Sequence, residues 1–200
     1  FPVVAVLGAR RVGKTTLVEK LAIPGLKTFT LDSTIDLGGA RTDPDFFLQQ
    51  QPRPLFLDEV QYAPELLGSL KREVDRRQTP GQFLLSGSQN LAVLRSVSES
   101  LAGRVAIVEL WPLSLAELGG DPARTGWLER AVRGAAFPEQ RAAAVGPPAL
   151  FPLLWRGGLP GLLTLPDHLC PTYSPSYRHT YIDRDVRTAA GVSPRQHFGR

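Results

Sequence analysis

Methionine is missing from all 200 residues, position 1 included, and cysteine occurs once. A single thiol excludes an internal disulfide framework and suits a reducing compartment. No apolar run approaches the ~18–20 residues of a membrane span, and no basic stretch followed by an apolar one opens the chain. The sequence therefore reads as soluble and cytoplasmic. Because Phe1–Leu7 already has the pattern of a buried strand, the absent initiator implies that the natural chain starts earlier. A net charge of +4 is too small to demand a nucleic-acid partner. Neither the 19 glycines nor the 18 prolines amount to a collagen-like or disordered composition. With 42% apolar residues, the chain has enough to bury a core.

What is present falls into two textures. Up to about Leu110, short apolar runs alternate with helical patterns. Phe1–Leu7, Leu55–Leu57, Phe83–Leu85 and Val105–Val108 are nearly continuous apolar runs, as expected of strands covered on both faces in a parallel sheet. Lys27–Leu31 is a weaker, alternating candidate. Leu17, Val18 and Leu21 suggest one helix face, ending near Ile23 because Pro24-Gly25 follows. Pro64 suits a first helical turn, and Leu66, Leu67, Leu70 and Val74 then recur at helical spacing. Leu91, Leu94, Val97 and Leu101 form a further stripe. Strands alternating with helices predict an α/β domain. Eleven of the 18 prolines lie beyond residue 110, where periodicity fades. The expected organisation is a core over 1–118, a linker or helical connection over 119–148 and a partial C-terminal domain over 149–200.

Between the first strand and the first helix stands Gly8-Ala9-Arg10-Arg11-Val12-Gly13-Lys14-Thr15, a match to GxxxxGK[ST]. Gly8 and Gly13 permit a tight turn whose successive N–H groups converge on a concavity sized for phosphate. The following helix adds its positive dipole end. Lys14 is the expected contact to the β- and γ-phosphates, and the Thr15 hydroxyl a ligand for Mg²⁺. Thr16 completes the nucleotide-binding stretch but reads as a helix residue rather than a ligand.

Pro54-Leu-Phe-Leu-Asp58-Glu59 is an apolar strand ending in two carboxylates. Beside a phosphate loop, Asp58 is placed to reach Mg²⁺ through the ion's water shell, and Glu59 to polarise a water for in-line attack. Past the fourth strand, Ser88 is the preferred polar sensor of the γ-phosphate or the attacking water. Ser86 and Asn90 compete for that role, and Ser88 or Asn90 could instead simply cap a helix. Gly103 fits a helix C-cap, after which Arg104 projects from the nucleotide-binding layer. It is a candidate finger acting on a neighbouring subunit, or else an arginine that only offsets a helix dipole.

Gly8–Thr16, Leu55–Gln61, Ala63–Leu67, Phe83–Asn90, Ser98–Arg104 and Leu110–Leu118 together resemble the prokaryotic AAA-type ATPases that carry an uncharacterised C-terminal domain. The likeness extends over roughly residues 3–118, with weaker echoes at Arg156–Pro160 and Tyr181–Arg187. Ala9 and Arg11 depart from the proline and glutamine common in that family. The resemblance implies a P-loop α/β fold with a mainly parallel five-stranded sheet between helical layers, ATP with Mg²⁺, and hydrolysis by the Asp58–Glu59 pair.

His168, Cys170 and His179, with Asp183 and Asp185, fit no standard zinc spacing and read as surface groups. Residues 171–200 hold five arginines against two aspartates, which leaves a nucleic-acid patch open. The leading expectation is an ATP-hydrolysing switch that repositions its C-terminal part, with a homo-oligomer if Arg104 acts in trans. The alternatives are an ATP-binding regulatory or DNA-associated module with little turnover, and a P-loop kinase.

Overall fold

The computed structural model describes residues 1–32, 34–88, 97, 99–118 and 147–181. The chain divides into two compact units, Phe1–Trp111 with Ser174–Arg200, and Pro112–Tyr173.

The first unit is built on five parallel strands: β1 (Val3–Gly8), β2 (Lys27–Thr30), β3 (Leu55–Asp58), β4 (Phe83–Ser88) and β5 (Val105–Leu110). Their order across the sheet is β2-β3-β4-β1-β5. Every ladder is parallel, with Val3 level with Phe83 and Val105, and Leu55 level with Phe83 and Lys27. The continuous apolar runs follow from this. Alternate residues of β1, β3 and β4 enter opposite cores, so both sets must be apolar; β5, expected to be covered on both faces, is an edge strand that leaves Ile107 and Val108 exposed. Val3, Ala5, Leu7, Leu55, Leu57, Phe83 and Leu85 pack with Leu66, Leu70 and Val74. Val6, Phe56 and Leu84 form the other cluster with Val18.

The helices of this unit are α1 (Lys14–Lys20), α2 (Thr34–Thr42), α3 (Pro44–Gln49) and α4 (Leu66–Arg77), with a 3₁₀ turn at Val60–Tyr62. Asp43 caps α3, accepting the Phe46 amide at 2.9 Å, and Pro44 supplies the preset first helical residue. The stripe expected on α4 is its buried face. The stripe expected on α1 is not. Only Val18 is buried, whereas Leu17 and Leu21 face outward, and the helix stops at Lys20, short of Ile23. Four residues apart, Leu17 and Leu21 share one side of a two-turn helix, and the side carrying Val18 is the one on the sheet.

The second unit contains α5 (Leu115–Leu118), α6 (Pro147–Arg156), α7 (Pro160–Leu163), a 3₁₀ turn at Asp167–Leu169 and the start of α8 (Cys170–Tyr181). Arg156 holds it together locally, donating to the carbonyls of Leu162 and Leu165 and pairing with Asp167. The remainder of α8 belongs to the first unit. Of the 119–148 connection only residues 147 and 148 are described, and Asn90, Leu91, Leu94, Asp183 and Asp185 lie outside the described residues. Among the described residues, no helix is long and apolar enough to cross a membrane.

Gly8 ends β1 where the chain has no space for a side chain. A Cβ there would stand 2.3 Å from the Leu110 carbonyl oxygen, a main-chain atom of the neighbouring strand. Gly8→Ala must therefore push β1 and β5 apart. We expect a loss of ~1–3 kcal/mol, read as a melting temperature lower by roughly 2–10 °C. An unchanged melting curve would show that the two strands yield freely.

Candidate nucleotide-binding site

In a parallel sheet, the carboxyl ends of all strands open onto one edge. Here that edge gathers Gly8, Asp58 and Ser88 from β1, β3 and β4. The chain leaves Gly8 in a loop that returns as α1. Arg11 and Gly13 hold left-handed conformations in it, at φ 58° and 101°. At Gly13 the lack of a Cβ removes the cost of that geometry. The Gly13 carbonyl accepts the Leu17 amide at 2.8 Å and so starts the helix. Lys14, only 6% exposed, folds back over the loop and donates from Nζ to the carbonyls of Gly8 and Ala9, each at 3.0 Å. These bonds hold the ammonium at the loop, where a phosphate would meet it.

Next to it, the Thr15 hydroxyl donates to Asp58 Oδ2 at 2.8 Å. Asp58, 5% exposed, receives a second bond at Oδ1 from the Ser86 hydroxyl. Ser86 Oγ also accepts the Glu59 amide at 3.2 Å. Ser86 thus orients both acidic residues from β4. The sequence left it a competitor to Ser88, and this position between the two acids had no short-range signal. Ser88 lies level with Gly8 and on the same face of β4 as Ser86. Its hydroxyl is buried and meets no hydrogen-bonding partner among the described residues. Such an atom costs free energy unless something fills the need.

Glu59 leaves β3 in a left-handed conformation, φ 59° and ψ 46°, which turns its side chain out of the strand line. Gln61 Nε2 donates to its Oε2. Further along the turn, Arg10 donates to the Tyr62 hydroxyl at 3.1 Å, and Arg41 to the Tyr62 carbonyl at 2.6 and 2.9 Å. The Tyr177 hydroxyl of α8 donates to the Arg10 carbonyl at 3.1 Å. Gln61, Tyr62, Arg41 and Tyr177 were not picked out in the sequence as site residues. Arg10 was expected there only as part of the loop. Val12 is buried under the loop, and Arg11 and Thr16 are exposed.

Arg104 does not join this cluster. It precedes β5 and its carbonyl accepts the Val3 amide at 3.2 Å, at the amino end of β1. The six residues of β1 separate it from the loop by roughly 17 Å. Its guanidinium grips Asp75 with two bonds, at 2.6 and 3.0 Å. That pairing holds the Asp75 carboxyl below its ordinary range and raises Arg104.

The Thr15 hydroxyl and the Asp58 carboxylate are hard oxygen donors, and they touch each other beside the loop. Two protein oxygens suit an ion such as Mg²⁺, which keeps waters and takes phosphate oxygens for the rest. Among the described residues no group of three His, Cys, Asp or Glu side chains comes together to hold a metal ion. His168 and His179 are exposed, and buried Cys170 points its Sγ at the Pro166 carbonyl, 3.8 Å away.

A family model described as an AAA domain matches residues 1–119. Two curated relatives are the uncharacterized protein Rv2008c of Mycobacterium tuberculosis and the uncharacterized protein Mb2031c of Mycobacterium bovis. Each is 37% identical over 128 residues, covering 64% of this chain and 29% of its own length. The chain thus spans under a third of the curated relatives it matches. Among solved structures, a chain of the S. cerevisiae Hsp104–ADP complex aligns with 93% of this chain and 30% of its own, at 20% identity and a TM-score of 0.46.

Proposed function

Because the chain belongs to the AAA domain family, we propose that it binds ATP with Mg²⁺ and hydrolyses it, and that the nucleotide state is passed to its C-terminal part. The family supports ATP binding and ATPase activity in general terms. The observation that carries the finer reading is the continuous line Thr15–Asp58–Ser86–Glu59, which joins the phosphate loop to a candidate base through three hydrogen bonds.

The steps follow from the residues. The loop amides and Lys14 bind the phosphates. Thr15 and Asp58 would hold Mg²⁺, which supplies neutralisation of charge on the β- and γ-phosphate oxygens. Glu59 takes a proton from a water as its oxygen attacks the γ-phosphorus. The bond from that phosphorus to the bridging oxygen breaks, and ADP and inorganic phosphate leave. The Ser88 hydroxyl, buried without a partner, is suited to donate to the γ-phosphate or to the attacking water. Tyr177 supports the coupling. It ties α8 to a loop carbonyl, so a loop that reshapes around phosphate pulls on that helix.

The test is phosphate release from ATP with and without Mg²⁺, with no acceptor added. Metal-dependent release supports the ATPase; ADP formed only with an added acceptor, and without matching free phosphate, supports a kinase instead. A binding module with little turnover is the second reading. The bond from Gln61 to Glu59 favours it, since a carboxylate engaged in that way is less available as a base.

Arg104 is too far from its own loop to act there, so any action on phosphate is on another copy of the chain. For that reading, mixing Arg104→Ala protein with Glu59→Gln protein restores part of the activity each lacks alone. Co-assembly is checked by size-exclusion chromatography. A mixed assembly that stays inactive removes Arg104 from the mechanism.

A further inference from the structure

The amino ends of β3 and β4 face away from the phosphate loop, and a polar cavity lies there. It has a volume of about 310 Å³ and is lined by Gln49, Gln51, Arg53, Glu73, Arg76 and Arg77. These come from the end of α3, the segment leading into β3 and the last turns of α4.

Arg53 is fixed from several sides. Its Nη1 donates to the Gln51 carbonyl at 2.6 Å and its Nη2 to the Leu48 carbonyl at 2.9 Å. The guanidinium lies over the Phe83 ring, 4.4 Å from the centroid. Its Nε is buried and meets no acceptor among the described residues. Glu73, with a side chain 6% exposed, is divided between two arginines, bonding Arg76 at 3.0 Å and lying 3.9 Å from Arg53. Arg77 makes no ion pair among the described residues.

The charges do not balance. Three guanidinium groups meet one carboxylate, and the carboxyl end of α4 offsets only about half a charge more. Burial draws Arg53 below the ordinary guanidinium range; Glu73 opposes this and the charge of Arg77 adds to it. A surplus of more than one positive charge around this partly open cavity attracts a compact dianion. Guanidinium forks match phosphate oxygens in pairs. The cavity is about ten water volumes, larger than a bare phosphate. The side-chain amides of Gln49 and Gln51 offer donors and acceptors to a hydroxylated substituent.

We propose that this cavity binds the phosphate group of a small phosphomonoester, as a site separate from the nucleotide loop. Neither the family match nor the loop motif assigns it. The proposal stands whether or not the chain hydrolyses ATP.

The test is calorimetric titration with inorganic phosphate, and separately with glucose 6-phosphate, at constant ionic strength because exposed arginines are screened by salt. Four proteins are compared: the parent, Lys14→Ala, Arg77→Gln and Glu73→Gln. Lys14→Ala should keep the cavity's binding. Arg77→Gln, an exposed change with little bearing on folding, should weaken it roughly tenfold, as expected for one charge-assisted contact. Glu73→Gln should tighten it, because Arg53 and Arg76 lose their competing carboxylate. Tighter binding of glucose 6-phosphate than of phosphate supports a monoester; the reverse order leaves a site for free phosphate only and overturns that class. Binding lost in Lys14→Ala and unchanged in Arg77→Gln would belong wholly to the nucleotide loop and overturn the proposal. So would the absence of any binding at millimolar phosphate.

Discussion

Lys14→Ala will reduce ATP affinity at least ~100-fold, while the protein keeps its fold. The expectation rests on two features of the ammonium group. It is nearly buried, so it has already lost most of its hydration, and bonds to the carbonyls of Gly8 and Ala9 fix it at the loop. An anion arriving there meets a cation that need not be desolvated again. Each charge-assisted hydrogen bond to phosphate contributes ~1.5–3 kcal/mol, and two such bonds amount to at least two powers of ten in the dissociation constant. Stability should not suffer comparably. The substitution removes a buried charge together with its demand for partners. Titration with a fluorescent ATP analogue gives the affinity, and a melting curve checks the fold. Affinity within threefold of the parent, in a protein that melts as the parent does, would leave the loop without its assigned role.

How much of this could be read from the sequence depends on the range over which each signal acts. The central strands were visible because a sheet covered on both faces needs apolar residues at every position. Val3–Leu7 and Leu55–Leu57 satisfy both clusters at once. The loop was visible because phosphate binding fixes residue types at close spacing. The helices α2 and α3 gave no apolar stripe. Ala40 in α2 and Leu48 in α3 are buried, but neither recurs at helical spacing strongly enough to announce an element. The ties around the site were hidden for another reason. Arg10 to Tyr62 spans 52 residues and Tyr177 to Arg10 spans 167. Both depend on where the sheet brings chain segments together, which no local pattern encodes. Arg104 shows the opposite error. Its neighbours Gly103 and Val105 gave its local setting well, but not the partner, because Asp75 lies on α4, 29 residues earlier.

Glu59→Gln will leave ATP bound and lower turnover by ~10²–10⁴-fold, the span usual for loss of a general base. The two side chains have the same length and shape. The amide oxygen of glutamine can still accept from Gln61, so the 3₁₀ turn at Val60–Tyr62 keeps its geometry. What disappears is a group able to take a proton from water. The main-chain bond from residue 59 to Ser86 persists, and with it the orientation of Asp58. Binding and hydrolysis are therefore expected to separate. A nucleotide titration should give an affinity close to the parent's, whereas phosphate release over the same concentrations should fall to background. If the variant releases phosphate at the parent rate, Glu59 is not the base. Asp58 would be a poor replacement, since both of its oxygens already hold hydroxyl protons of Thr15 and Ser86. If both proteins bind ATP and neither turns it over, the line from Thr15 to Glu59 serves nucleotide sensing alone, and the bond from Gln61 is the first contact to remove in asking why.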